Sequence, residues 1–105
     1  MIKKIRTFRD FYPYLMSDDY KIRFLGEYLE LSYRLLKLEQ VIEGYKSKSL
    51  DFIPSCSLSL LELQGKQMQG YKTILEKRAM IENIELPEVA IYGCKEKDQE
   101  QDDIE

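Results

Sequence analysis

Residues 24–45 read FLGEYLELSYRLLKLEQVIEGY, and the spacing of their apolar side chains decides the fold. Phe24, Tyr28, Leu31, Leu35, Leu38, Ile42 and Tyr45 recur in alternating steps of four and three, which keeps them along one side of an α-helix. Ile22, Leu25, Leu29 and Leu36 form a second stripe, turned by about 100–150° from the first. One antiparallel partner helix covers only one stripe. The second has to bury against a short N-terminal helix, a neighbouring subunit, or both.

Working outward, Ser17 is the expected N-cap of this helix, with Asp18 and Asp19 in its first turn where negative charge suits the helix dipole. The helix is expected over about 18–46. Its remaining side carries Arg23, Glu27, Glu30, Arg34 and Lys37, with Arg23/Glu27 and Glu30/Arg34 four apart, a pattern that reads first as a solvated charged face. Arg23 or Arg34 as an anion ligand is the sharper reading, and their carboxylate neighbours oppose it. Upstream, the sequence from Thr7 to Asp10 looks like a cap followed by an acidic residue, and Phe8, Phe11, Tyr12 and Leu15 can share a face, so a short helix is expected over about 7–15 with Pro13 limiting its length.

Downstream, residues 46–59 (KSKSLDFIPSCSLS) break the helical pattern, Pro54 most firmly, and return the chain. Ser55 or Ser57 then caps a third helix, over about 58–86, with Pro87 as its stop. Leu61, Met68, Tyr71, Leu75 and Ala79 supply its inward side, while Leu60, Leu63, Ile74, Ile81 and Ile84 widen the stripe. Gly65 and Gly70 lie inside it, each costing about 1 kcal/mol relative to Ala, and positions of that kind permit close helix crossing or the approach of a ligand to the backbone. Residues 88–94 (EVAIYGC) read as a short extended segment that docks on the bundle or on another subunit.

The 105 residues fit one domain, expected over 1–94. Residues 95–105 hold six acids and two lysines, a net of −4 that leaves about +1 for the rest of a chain whose total is −3; this tail is expected to be disordered. The folded part therefore lacks the basic balance of a duplex-DNA binder. Only Lys3, Lys4, Arg6 and Arg9 make a local basic cluster. Cys56 and Cys94, with no histidine in the chain, suit neither a disulfide framework nor a four-ligand metal site and read as free thiols of a reducing cytosol. No run of about 18 apolar residues is present, so a soluble, cytoplasmic protein with no membrane partner is expected.

The chain shows no G-x-S-x-G elbow, P-loop, dinucleotide fingerprint or H-E-x-x-H motif, and without histidine nothing in the spacing isolates a general acid or base. The expectation is a protein without catalysis, cofactor or metal. Tyrosine is the abundant chemical resource, eight in all. Rings beside cations stack on nucleobases while helix N-termini hold phosphates, although tyrosine is equally an ordinary interface residue. The densest combination is residues 6–23, where Arg6, Arg9, Tyr12, Tyr14, Tyr20, Lys21 and Arg23 flank the Ser17 helix start.

Two patterns, F-L-x-x-Y-x-x-L-x-x-R-L-x-K-L from Phe24 to Leu38 and L-Q-x-x-x-M-x-x-Y-x-x-x-L-x-x-R from Leu63 to Arg78, resemble a group of small helical proteins of tailed bacteriophages that has no established activity. The segment YPYLMSDDYK from Tyr12 to Lys21, followed by two long helices, is more distantly similar to the phage anti-CBASS sponge family. That resemblance implies a helical hexamer sequestering a cyclic oligonucleotide immune signal. It implies Tyr12 or Tyr14 as the stacking residue and, because Tyr28 and Glu30 stand where the family's lysine falls, Lys21 or Arg23 as the cation.

The expectation is thus an all-α homo-oligomer, with the hexamer as the resemblance's implied state. It would bind a nucleotide signal between subunits through Tyr12, Tyr14, Lys21 and Arg23 in an infected bacterial host. The alternative is an inhibitor or adaptor that binds a host defence or transcription protein through a helix face.

Overall fold

The computed structural model describes residues 2–5 and 10–91. The expected helix start near Thr7, the basic Arg6 and Arg9, Cys94 and the acidic tail lie outside the described residues. In chain order the elements are β1 (Ile2–Ile5), α1 (Tyr12–Leu15), α2 (Tyr20–Ser47), α3 (Leu58–Glu82) and β2 (Glu88–Ile91). The fold is helical as the sequence indicates, with one addition. β1 and β2 pair in parallel, Ile2 opposite Glu88 and Ile5 opposite Ile91. The extended segment expected at 88–94 therefore finds its strand partner near the chain's start, in the segment that carries Lys3 and Lys4 of the basic cluster, because parallel pairing only needs the helices between as a crossover.

Local chemistry sets each helix end. α2 is capped by Asp19, whose carboxylate accepts from the Lys21 amide at 2.8 Å. This corrects the assignment of the cap to Ser17. Ser17 Oγ instead accepts from the Asp19 amide at 3.0 Å, and its carbonyl accepts from the Arg23 guanidinium at 3.0 Å. A charged acceptor at the dipole's positive end is the stronger cap. Ser57 caps α3, its Oγ accepting from the Leu60 amide at 3.2 Å. Both helices leave through a left-handed residue, Lys48 (φ 60°) and Asn83 (φ 59°). The amides of Ser49 and Ile84 close back onto the carbonyls of Gly44 and Ala79, each at 2.9 Å, satisfying orphan carbonyls. α3 therefore stops before the expected 86, at an asparagine that tolerates the left-handed region and ahead of Pro87.

α3 runs back along α2. Arg78 meets Tyr20 at one end, Tyr28 meets Glu76 further along, and Lys46 meets Glu62 toward the connecting loop. The seam between them buries Phe24, Tyr28 and Leu31 against Leu75 and Ala79, with Ile84 beyond the end of α3. Each large side chain removed from water there contributes about 1.5–3 kcal/mol. The second stripe of α2 finds an intramolecular partner in α1, where Phe11 and Leu29 are fully buried and Tyr14, Leu15 and Tyr33 pack around them; Phe11 meets the Tyr33 ring edge-on at 5.8 Å.

Glycine roles differ from the sequence reading, which placed close crossing at Gly65 and Gly70. A β-carbon at Gly65 would make only ordinary contact with Leu38 and Ile42, and one at Gly70 would meet nothing within 4 Å. Close approaches are found instead at Gly44, against the Leu50 side chain, and at Gly26, where a β-carbon would lie 2.9 Å from the Leu15 backbone nitrogen. α1 can lie on α2 only because that position has no side chain. Gly26→Ala is expected to lower stability by about 1–3 kcal/mol, whereas Gly65→Ala raises it by up to about 1 kcal/mol, both read from urea melts.

Tyr28 carries a polar contact at this seam. Its hydroxyl donates to Glu76 at 3.0 Å. Burial, then the Glu76 carboxylate, push its phenol up from 10.0 to about 12. The nearby Ser32 hydroxyl pulls the other way, although its fully buried Oγ closes no hydrogen bond among the described residues. Because the folded state holds this proton to higher pH, its stabilisation is complete below pH 10 and disappears as pH rises through 12. The melting temperature should therefore fall more steeply between those values in the native protein than in Tyr28→Phe.

Candidate ligand-binding ledge

An aromatic and charged ledge spans α2 and α3 beside their seam. On α2, Tyr20, Arg23, Glu27, Glu30 and Arg34 fall on one side at helical spacing; on α3, Tyr71 and Arg78 are one heptad apart and share a side. The Arg78 guanidinium is central. It lies over the Phe24 ring at 4.9 Å, donates to the Tyr20 hydroxyl at 2.9 Å and approaches Glu82 at 3.7 Å. Tyr20 in turn meets the edge of Phe24, with ring centroids 6.3 Å apart. The Tyr71 hydroxyl donates to Glu27, and that bond, then burial and the Glu27 charge, raise its phenol above the ordinary value. The bond that Arg78 donates to the Tyr20 hydroxyl is likewise the main influence raising its guanidinium above the ordinary value.

Chemically, the ledge offers two tyrosine rings with exposed surface and a guanidinium aligned by an aromatic floor. Rings suit stacking on a planar base, and a pre-oriented guanidinium suits a phosphate. Glu27, Glu30 and Glu82 hold the donors in place and leave little surplus positive charge, so recognition here has to use ring and fork geometry more than net field.

The four residues singled out from sequence do not converge in the same way. Tyr12 is exposed on α1, and Tyr14, two positions on, is half-buried in the packing against Leu29. Lys21 and Arg23 stand about 200° apart around α2; Lys21 is exposed and its side chain has no partner among the described residues, while Arg23 is held on the Ser17 carbonyl. Tyr71 and Arg78 escaped the sequence reading because Tyr71 was assigned to the inward side of α3 and Arg78 entered only as the end of a pattern. The missed signal was their heptad spacing opposite Tyr20 and Glu27.

A second concavity, an open cleft of 680 Å³ near the loop end of the hairpin, is lined by residues including Glu39, Ile42, Lys46, Glu62 and Lys66. Lys46 and Glu62 pair across it at 3.3 Å, so its cations are already matched by acids. Among the described residues no cluster of acids and cysteine has the makings of a metal site, and no helix is long and apolar enough to cross a membrane.

Comparison with known proteins gives one result. A family model described as Sequestin matches residues 18–81, spanning α2 and nearly all of α3 and leaving Tyr12 and Tyr14 outside. No curated protein and no solved structure gives a match. The matched segment is more than half of the chain and contains Tyr20, Phe24, Tyr71 and Arg78 of the ledge, and on that ground the chain belongs to the Sequestin family.

Proposed function

We propose that this protein sequesters a nucleotide immune signal without catalysis, acting as a phage counter-defence protein in the infected cell. The observation that carries this reading is the Tyr20–Phe24–Arg78–Tyr71 ledge, which lies wholly within the matched family segment. The family's name suggests sequestration, and the more distant resemblance to cyclic-oligonucleotide sponges supplies the ligand class. The bases stack on Tyr20 and Tyr71, and the Arg78 fork takes a phosphate. Sequestration needs only affinity, which matches a site built of rings and fixed charges. The protein works as a homo-oligomer with the ligand held between subunits. Tyr12 and Lys21, exposed near the start of α2 but turned away from the ledge, serve as a further ring and cation toward a ligand held by a neighbouring subunit.

The rival reading, an inhibitor or adaptor of a host defence or transcription protein, is favoured by one observation. α3 leaves Leu60, Leu63, Ile74 and Ile81 more than half exposed, a surface that a protein target also fits.

Calorimetric titration against cyclic di- and trinucleotides and ADP-ribose derivatives separates the two. Sequestration predicts heat and saturation for at least one of them and a loss of about tenfold or more in affinity for Arg78→Ala, with a smaller loss for Tyr12→Ala. Absence of heat across the panel, together with loss of biological activity on deleting residues 95–105, supports the protein-binding reading instead.

A further inference from the structure

Acids and arginines balance on the ledge. Arg23, Arg34 and Arg78 stand against Glu27, Glu30 and Glu82, and most of the positive charge is already engaged. Glu30 holds Arg34 through Nε at 3.1 Å and a terminal nitrogen at 3.0 Å, and Arg23 donates to the Ser17 carbonyl. Arg78 points Nε at Glu82, 3.7 Å away, and gives Nη2 to Tyr20. Its Nη1 end is the edge left for an anion. Lysine adds nothing to the ledge from the flanks, because Lys37 lies over the Tyr33 ring and Lys72 over the Tyr28 ring. The carboxylates act on the same space as the rings and the fork. Glu27 and Glu30 both raise the Tyr71 phenol, and Glu82 and Glu27 both raise the Arg78 guanidinium.

A site that collected phosphates by charge would carry a surplus of cations. Here an arriving phosphate meets one available fork with Glu82 and Glu27 beside it. An internal phosphate, in a diester or a pyrophosphate bridge, carries a single charge, which one guanidinium neutralises. A terminal phosphate carries about −1.5 to −2 near neutral pH. Its surplus charge faces the two carboxylates well inside the screening length of about 8 Å, so salt does little to relieve the repulsion.

We infer that Glu27 and Glu82 determine the specificity of the ledge, admitting nucleotides whose phosphates are all internal and excluding those that end in a free phosphate, nucleoside triphosphates above all. The inference rests on the sequestering reading and on the ledge as its site. It explains why a site that takes a phosphate keeps as many acids as arginines. A protein that retains a scarce signal has to stay empty among abundant nucleoside triphosphates, and a neutral ledge achieves this without a gate.

Calorimetry of the full chain tests it with four probes: a ring-closed dinucleotide, a linear dinucleotide with a terminal phosphate, the same linear dinucleotide without one, and ATP. The native protein should bind the ring-closed probe about tenfold or more tightly than ATP, and the terminal phosphate should weaken the linear probe. Glu82→Gln and Glu27→Gln keep side-chain size and an acceptor oxygen while removing the charge. Each should reverse the sign of the terminal-phosphate effect and bring ATP to within about tenfold of the ring-closed probe, with helix content by circular dichroism unchanged. Glu39→Gln makes the same charge change in the cleft at the loop end and should move none of these ratios. A native chain that takes ATP as tightly as the ring-closed probe, or glutamine variants that keep the native preference, overturns the inference and leaves sequestration standing. No heat from any probe, in the native chain and in both variants, removes the ledge as a nucleotide site and the inference with it.

Discussion

The burial of α2 on two sides is the constraint on which the rest of this molecule depends. α3, α1 and β2 each make contact with α2. Its seam residues Phe24, Tyr28 and Leu31 meet α3, and a separate side, at Gly26 and Leu29, receives α1. A helix within a protein gains most of its stability from packed faces. With two of its sides occupied inside one chain, α2 leaves its charged side to form the floor of the ledge. Among the described residues α3 has no equivalent second partner, and this asymmetry distinguishes the two long helices.

The pattern of four-and-three spacing made the α2 side of the seam legible from residue types alone, because Phe24, Tyr28, Leu31 and Leu35 are all buried. α3 was harder. Its apolar residues surround more of the helix, so spacing could not separate the side facing α2, at Leu75 and Ala79, from the side facing outward, at Leu60, Leu63, Ile74 and Ile81. Tyr71 was misassigned for that reason; it is partly exposed and bonded to Glu27. Gly26 was overlooked because its importance depends on the Leu15 backbone lying against it, a long-range contact that no local pattern encodes. The β1–β2 ladder escaped for the same reason, since pairing between distant four-residue segments leaves no periodic trace.

The ledge illustrates how site geometry can differ from sequence proximity. Residues 6–23 concentrate rings and cations in the sequence, yet the helix turns Lys21 and Arg23 to different sides and Tyr14 packs inward. Tyr20, Phe24, Tyr71 and Arg78 are dispersed in sequence and converge in space. An arginine stacked on one ring and bonded to another loses little freedom when it takes up an anion, which suits a protein whose task is retention.

Native mass spectrometry of the protein purified from its host cell tests the sequestering account most directly. The account predicts an assembly of the 12.5 kDa chain carrying the additional mass of a nucleotide ligand, with that mass lost in Arg78→Ala. A spectrum dominated by the single chain with no bound small molecule would contradict it.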